Sequence, residues 1–100
     1  MHVISRKRLR EFWEFHPEAQ KSLQKWYATV RHATWKSFAD VRATFNSVDL
    51  YHRCHIFNVS GNKYRIIAAV HYNIGRIYIR EVLTHAEYDK GKWKPDCRAD

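Results

Sequence analysis

The amino-acid sequence predicts a single α+β domain, in which a short N-terminal strand and two to three helices pack on one face of a small antiparallel β-sheet. The chain has 100 residues, enough for one two-layer core. Its first half carries apolar residues at helical spacing, and its second half carries strand-like segments separated by short turns. Hydrophobic residues make up 45% of the chain, which favours a packed core over disorder.

The first half of the chain is predicted to be helical after one short strand. His2-Val3-Ile4 is β-prone, and Ser5 can cap the helix that follows it. Apolar residues then recur every three or four positions, which predicts one helix that ends at Pro17 and a second that runs to His32. The residues that set this spacing are Leu9, Phe12, Trp13, His16, Leu23, Trp26, Tyr27 and Val30. We expect both tryptophans among them to pack in the core.

Two capping boxes predict further short helical segments. Ser37 with Asp40 is a weak box that opens a third helix, and a loop is predicted after it. Thr84 with Glu87 is a second box, which opens one helical turn after the last strand. The remaining stretch, 91–100, is a polar tail that we expect to fray.

The second half of the chain is predicted to form three strands joined by tight turns. The strands span residues 53–60, 63–72 and 76–84. Gly61-Asn62 fits a two-residue hairpin turn, and Ile74-Gly75 is taken as a second one. These two turns fix the register, and the register decides which face of the sheet each side chain occupies.

The predicted register separates an apolar face from a polar one. The first turn places Asn58 opposite Arg65, and the second places Arg65 opposite Thr84. The apolar face, which should pack on the helices, carries Phe57, Val59, Tyr64, Ile66, Ala68, Val70, Ile77, Ile79 and Leu83. Glu81 does not fit that face, and either a bulge or an edge position could accommodate it. The polar face carries Asn58, Ser60, Lys63, Arg65, Tyr78, Arg80 and Thr84.

The chain is strongly basic, with 18 Lys and Arg against 10 Asp and Glu and a formal net charge of +8. Such a charge on a small domain makes a positive field, and polyanions are its natural partners. RNA, DNA, the ribosome and an acidic membrane all fit the charge. A basic domain with no polyanionic partner also fits it.

Cysteine usage and hydropathy favour a cytoplasmic protein. Cys54 and Cys97 are far apart and form no CxxC motif, so we expect no disulfide. No signal peptide is predicted, and no apolar run approaches the ~20 residues that a membrane span needs. His52, Cys54 and His55 form a tight cluster, but no second pair of ligands accompanies it, so no metal or other cofactor is predicted.

Two long motifs resemble the HigB-type toxins of the RelE/ParE-like superfamily. They run from Phe57 to Ile67 (FNVSGNKYRII) and from Tyr78 to Lys90 (YIREVLTHAEYDK). The opening MHVIS and the pair Trp35-Lys36 are also similar. The resemblance implies a RelE-like, microbial-ribonuclease-like fold and metal-free cleavage of mRNA, usually on a translating ribosome. It also implies a cognate helix-turn-helix antitoxin as partner.

Metal-free RNA cleavage needs a base for the 2′-hydroxyl, an acid for the leaving 5′-oxygen and cations for the phosphorane. Arginine suits phosphate because its fork matches the oxygens, and imidazole suits proton transfer near neutral pH. We therefore expect Arg65 and Arg80 to hold the scissile phosphate, His85 to act as acid or base, and Tyr88 to donate a proton or stack on a base. The residues expected to contact RNA are Lys63, Asn58, Tyr78 and Lys90.

Two other functions stay open from the sequence. ParE-like relatives share this fold and poison DNA gyrase without cutting RNA. A plain RNA-binding module would use the basic face, but such modules stack bases on several exposed aromatic side chains, and Tyr78 is the one aromatic residue on the predicted polar face. The His85 and Tyr88 turn beside the paired arginines favours the enzyme.

Overall fold

The computed structural model describes residues 1–98, in which five strands form one sheet in the order β1-β5-β4-β3-β2. The strands are β1 (His2–Ile4), β2 (Asp49–Tyr51), β3 (Cys54–Val59), β4 (Tyr64–His71) and β5 (Arg76–Thr84). The helices are α1 (Arg6–Phe15), α2 (Gln20–Arg31), α3 (Phe38–Thr44), α4 (His85–Lys90) and α5 (Lys94–Arg98), with a 3-10 turn at Pro17–Ala19. The predicted α+β class is confirmed. The sheet is mixed, because β1 runs parallel to β5.

The main core lies between the first three helices and one face of the sheet. Leu9 of α1, Leu23 and Val30 of α2 and Val41 of α3 are fully buried there against the strands. The Trp26 ring meets Phe57 edge-on, with ring centroids 5.3 Å apart. These contacts are what the helical spacing predicts, since one apolar stripe per helix must face the sheet.

Of the three predicted helix caps, one is confirmed and two form no side-chain hydrogen bond. The Thr84 hydroxyl accepts a hydrogen bond from the backbone N–H of Glu87, and the Glu87 carboxylate accepts one from the N–H of Thr84, so this capping box is confirmed. Ser5 and Ser37 occupy N-cap positions without a side-chain cap bond. Strand β2 is an edge strand that begins where a loop is predicted.

The first predicted hairpin is confirmed. Asn58 pairs with Arg65, and the turn between the strands has positive φ at Gly61 (53°) and Asn62 (81°), and also at Ser60 (53°). Glycine and asparagine tolerate this left-handed conformation better than other residues, which is why the pair marks the turn. These turn residues therefore determine the register of β3 against β4.

The predicted register of β4 and β5 is wrong. The pairing of His71 with Arg76 centres the turn on Asn73-Ile74, one residue before the predicted Ile74-Gly75. A bulge follows at Arg80, since Ala68 pairs with Ile79 while Ile67 pairs with Glu81. Arg65 consequently lies opposite Leu83 and not opposite Thr84.

The bulge explains how the sheet accommodates Glu81. It reverses the alternation of β5, so Val82 packs against the main core while Leu83 joins a second cluster on the opposite face. Leu83 was predicted on the helix-packing face, and that prediction is wrong. Of the two alternatives left open for Glu81, the structure has the bulge.

The opposite face of the sheet is covered by the C-terminal segment. Trp93 and Cys97 are buried there against Cys54, Ile56 and Ile67. The segment was expected to fray, but the structure forms helix α5 instead. Ala99 and Asp100, also part of the predicted tail, lie outside the described residues.

Cys54 and Cys97 form a disulfide, with Cα atoms 5.4 Å apart. The expectation that the cysteines stay unpaired is therefore wrong. The two residues are 43 positions apart in sequence, and only the folding of the C-terminal segment onto the sheet brings them together. Within the described chain, no helix has the length and apolar character needed to cross a membrane.

Candidate active site

Arg65 is a cation held inside the protein at the start of β4. Only 6% of the residue is exposed. Its Nη1 donates hydrogen bonds to the carbonyl oxygens of Asn62 (2.9 Å) and Tyr64 (3.2 Å). Its guanidinium carbon lies 4.9 Å from the centre of the Tyr88 ring, a cation–π distance. A buried charge is costly without such partners, so the guanidinium is confined to one place.

His85 opens helix α4 beside the hairpin turn. Its backbone N–H donates to the carbonyl oxygen of Lys63 at 2.9 Å, which ties the helix to the turn. Its Nδ1 lies 2.9 Å from the Asp89 carboxylate, and both side chains are about half exposed. A carboxylate on one ring nitrogen orients the imidazole and leaves Nε2 as the nitrogen that can exchange a proton with a substrate.

The Tyr88 ring contacts two other side chains. Arg65 lies over its ring, and the Trp93 ring stacks on it with centroids 5.1 Å apart and planes 11° from parallel. The indole N–H of Trp93 donates to the backbone carbonyl of Tyr88 at 2.9 Å. Tyr51 meets Trp93 edge-on at 5.2 Å. One cation and three aromatic rings therefore lie in successive contact along this face of the sheet.

Arg80 lies in a separate groove. With His71, Tyr78, Arg8 and Asp96 it lines a space of about 520 Å³. Its Nε is buried and has no hydrogen-bond partner among the described residues. Because β5 places Arg80 three residues from the partner of Arg65, the two arginines are offset by roughly 10 Å along the strand direction. The structure therefore does not place both arginines in one contact group.

The remaining candidate residues occupy different surfaces. Tyr78 packs edge-on against His71, with ring centroids 5.1 Å apart. Asn58 lines a groove beside α2. Lys90 lines another groove at the end of α4. The structure thus brings Arg65 and Tyr88 together with the start of α4 at His85, and Lys63 joins them through its backbone carbonyl. The other four candidates line three separate grooves.

In the sequence cluster of His52, Cys54 and His55, the side chains of Cys54 and His55 are engaged in other contacts. Cys54 is in the disulfide, and His55 Nε2 lies 2.6 Å from the Tyr72 hydroxyl. Burial lowers the pKa of His55 to about 4. Across residues 1–98, no three His, Cys, Asp or Glu side chains are grouped so as to hold a metal ion.

Several contacts in this region were not predicted from the sequence. Asp89 follows His85 by four positions, a helical spacing that could have revealed the pair. Trp93 and Cys97 have the same spacing, which places both on one face of a helical turn. Arg8 gives no local signal, because only the tertiary fold brings α1 next to the end of the sheet.

Residues 19–91 match the HigB toxin family, described as the RelE-like toxic component of a toxin-antitoxin system. That stretch is well over half of the chain. The chain belongs to the HigB toxin family. The resemblance found in its two long motifs is thereby confirmed. The matched stretch of this family member contains Arg65, Arg80, His85 and Tyr88, whereas Trp93 and α5 lie beyond it.

Curated HigB proteins are similar to this family member over most of its length. It is 35% identical over 92 residues to the mRNA interferase toxin HigB of Escherichia coli K12 and to the mRNA interferase HigB of Shigella flexneri. Each alignment covers 89% of this chain and 88% of the relative. The mRNA interferase HigB of Escherichia coli O6:H1 is 26% identical over 93 residues, or 90% of both chains.

Proposed function

We propose that this chain is the toxin of a toxin-antitoxin pair and that it cleaves mRNA as a metal-independent endoribonuclease. Family membership and the names of its relatives support the activity. The observation that carries the proposal is the meeting of a buried arginine, Arg65, with the α4 turn that holds His85 and Tyr88. A confined cation next to proton-transfer groups is what in-line attack on a phosphodiester requires.

In the proposed reaction, the 2′-hydroxyl attacks the adjacent phosphate and the 5′-oxygen leaves. Arg65 stabilises the charge that develops on the phosphorane, which for one well-placed donor is worth about 3–4 kcal/mol. His85, oriented by Asp89, serves as acid or base, and the Tyr88 hydroxyl is the second group that can move a proton. Lys63 adds positive charge beside the turn.

The Arg80 groove gives the substrate a second point of attachment. Since Arg80 is offset from Arg65 and lines an open groove, we assign its guanidinium a phosphate next to the scissile one. Tyr78 in the same groove offers a ring edge to a neighbouring nucleotide. Asn58 and Lys90 are assigned contacts farther along the RNA.

The proposed partners follow from the same activity. The RelE-like resemblance supports mRNA on a translating ribosome as the proposed substrate, and we propose a cytoplasmic location on that ground. A net charge of +8 suits an acidic or neutral antitoxin, because complementary charge speeds and orients association. We propose a helix-turn-helix protein for that role.

Induction of the chain in bacteria, followed by mapping of mRNA 5′ ends, tests the function. Arg65→Ala and His85→Ala should abolish the new ends, because they remove the phosphate clamp and a proton-transfer group. Arg42→Ala and His32→Ala are matched controls, with exposed side chains outside the candidate site, and should cut like the wild type. Intact messages together with gyrase-linked DNA breaks would instead establish a ParE-like poison. Cutting that survives both site substitutions would remove the assigned site.

A further inference from the structure

We propose that Trp93, anchored by the Cys54–Cys97 disulfide, is a positioning residue for Tyr88 and Arg65, so that the rate of RNA cleavage depends on whether this disulfide is formed. The inference rests on the proposed function, since it concerns the regulation of that same site. It assigns a role to the C-terminal segment, which lies outside the stretch that matches the family.

Trp93 contacts both the ring and the backbone of Tyr88. The two rings stack, with centroids 5.1 Å apart, and the indole donates to the Tyr88 carbonyl at 2.9 Å. Helix α4 has only six residues, and a helix this short is not stable without tertiary contacts. Trp93 therefore restrains the Tyr88 ring, and through it the Arg65 guanidinium 4.9 Å away, in addition to the His85 bond that ties α4 to the turn.

The disulfide in turn holds Trp93. Cys97 lies one helical turn after Trp93, and it is bonded to Cys54 in the interior of the sheet. Both sulfur-bearing residues are buried, as is Trp93, at 4% exposed. Helix α5 has five residues, too few to keep its place by its own hydrogen bonds. The covalent bond fixes the position of α5, and α5 fixes the indole.

Reduction would remove this anchor. A dithiol reductant breaks the S–S bond, yields two cysteine thiols and is itself oxidised to a cyclic disulfide. The C-terminal segment then keeps its position through packing alone, and the Tyr88 ring gains freedom to rotate. Arg65 loses the fixed ring beside it, and small errors in the placement of reacting groups lower turnover more than they weaken substrate binding.

The test measures cleavage of ribosome-bound mRNA and, separately, the NMR shifts of the Arg65 side-chain protons, which a stacked ring moves upfield. Oxidised wild type should cut and show the upfield shift. Reduction by dithiothreitol, or Trp93→Ala, should lower kcat by about tenfold with KM nearly unchanged, and should abolish the shift. Trp93→Phe keeps a stacking ring and should retain most of both. The double variant Cys54→Ser/Cys97→Ser should behave like the reduced protein and not respond to dithiothreitol.

Two results would overturn the inference. One is an Arg65 shift and a kcat that stay the same after reduction and in Trp93→Ala. The other is a rise in KM with unchanged kcat, which would make Trp93 a substrate contact. If Trp93→Ala does not fold, the reduced wild type and Trp93→Phe still decide the question. A wild type that cuts no RNA but loses the Arg65 shift on reduction would refute the proposed function and support the positioning role.

Discussion

His55 is a histidine that the fold keeps neutral. It is 5% exposed in β3, with the Phe38 ring edge-on to it at 5.7 Å and the Phe57 ring near-parallel at 6.5 Å. Its Nε2 lies 2.6 Å from the Tyr72 hydroxyl, while its Nδ1 is buried with no partner among the described residues. Because a charged ring would lose its hydration here, burial lowers the pKa of His55 to about 4.

This pKa makes the protein less stable in acid. An unfolded histidine titrates near 6.5, so below that pH the unfolded state takes up a proton that the folded state refuses. The contribution of His55 is complete above about pH 6.5 and is lost as the pH falls towards 4, up to about 3 kcal/mol in all. Urea denaturation between these two pH values measures it. His55→Phe should flatten the acid loss.

The matched control for this change is His71→Phe, because His71 is an exposed histidine in the neighbouring strand. That variant should keep the wild-type dependence of unfolding free energy on pH. An acid loss of the same size in His55→Phe and in the wild type would show that other groups cause it.

Residue chemistry predicted part of the candidate site. Arg65, His85 and Tyr88 were singled out by residue type and by their place at a strand end, and the structure brings them together. Arg80 was expected beside Arg65 but lines another groove. The difference comes from the bulge, which the sequence allowed at Glu81 without locating it.

The turn residues determine the strand register of one hairpin and leave that of the other open. The Gly61-Asn62 turn needs left-handed backbone at both positions, so two residues were enough to fix β3 against β4. The loop 72–75 has one glycine, Gly75, and several loop lengths suit it. Tertiary burial decides there, because moving Glu81 out of the main core requires an extra residue in β5.

The disulfide joins two elements that have no sequence signal for pairing. Cys54 lies in β3 and Cys97 in α5, and the folding of the C-terminal segment onto the sheet brings them within bonding distance. A cross-link over 43 positions restricts the unfolded chain, which by the chain-entropy estimate is worth about 4 kcal/mol. We therefore expect reduction to lower the unfolding free energy by a substantial part of this amount.

Urea denaturation with and without dithiothreitol measures this stabilisation. The double variant Cys54→Ser/Cys97→Ser is the control, since the reductant should not change its midpoint. Equal midpoints for the oxidised and reduced wild type would contradict a stabilising cross-link and would mean that packing alone holds α5.

The two faces of the sheet are covered by different parts of the chain. One face packs against helices α1 to α3 and supplies most of the core. The other carries α4, α5 and the Arg65 cluster. Periodicity predicted the first face well, because one buried stripe per helix is a local pattern. The second face depends on contacts between distant segments, which no local pattern records.

The positive charge of the molecule indicated a polyanionic partner without indicating chemistry. With a formal +8, the chain attracts any nucleic acid, and binding alone would not separate a nuclease from an RNA-binding module. The proposed nuclease differs from such a module in using the Arg65, His85 and Tyr88 cluster to break a bond in the RNA.

The most direct test of that claim is cleavage of an mRNA that carries a single 2′-deoxynucleotide on the 5′ side of a mapped cut. If the 2′-hydroxyl attacks, this message stays intact at that position while the all-ribose message is cut there, leaving a 5′-hydroxyl fragment. Cutting of the deoxy-substituted message at an unchanged rate would contradict attack by the 2′-hydroxyl and the catalytic roles assigned to this site.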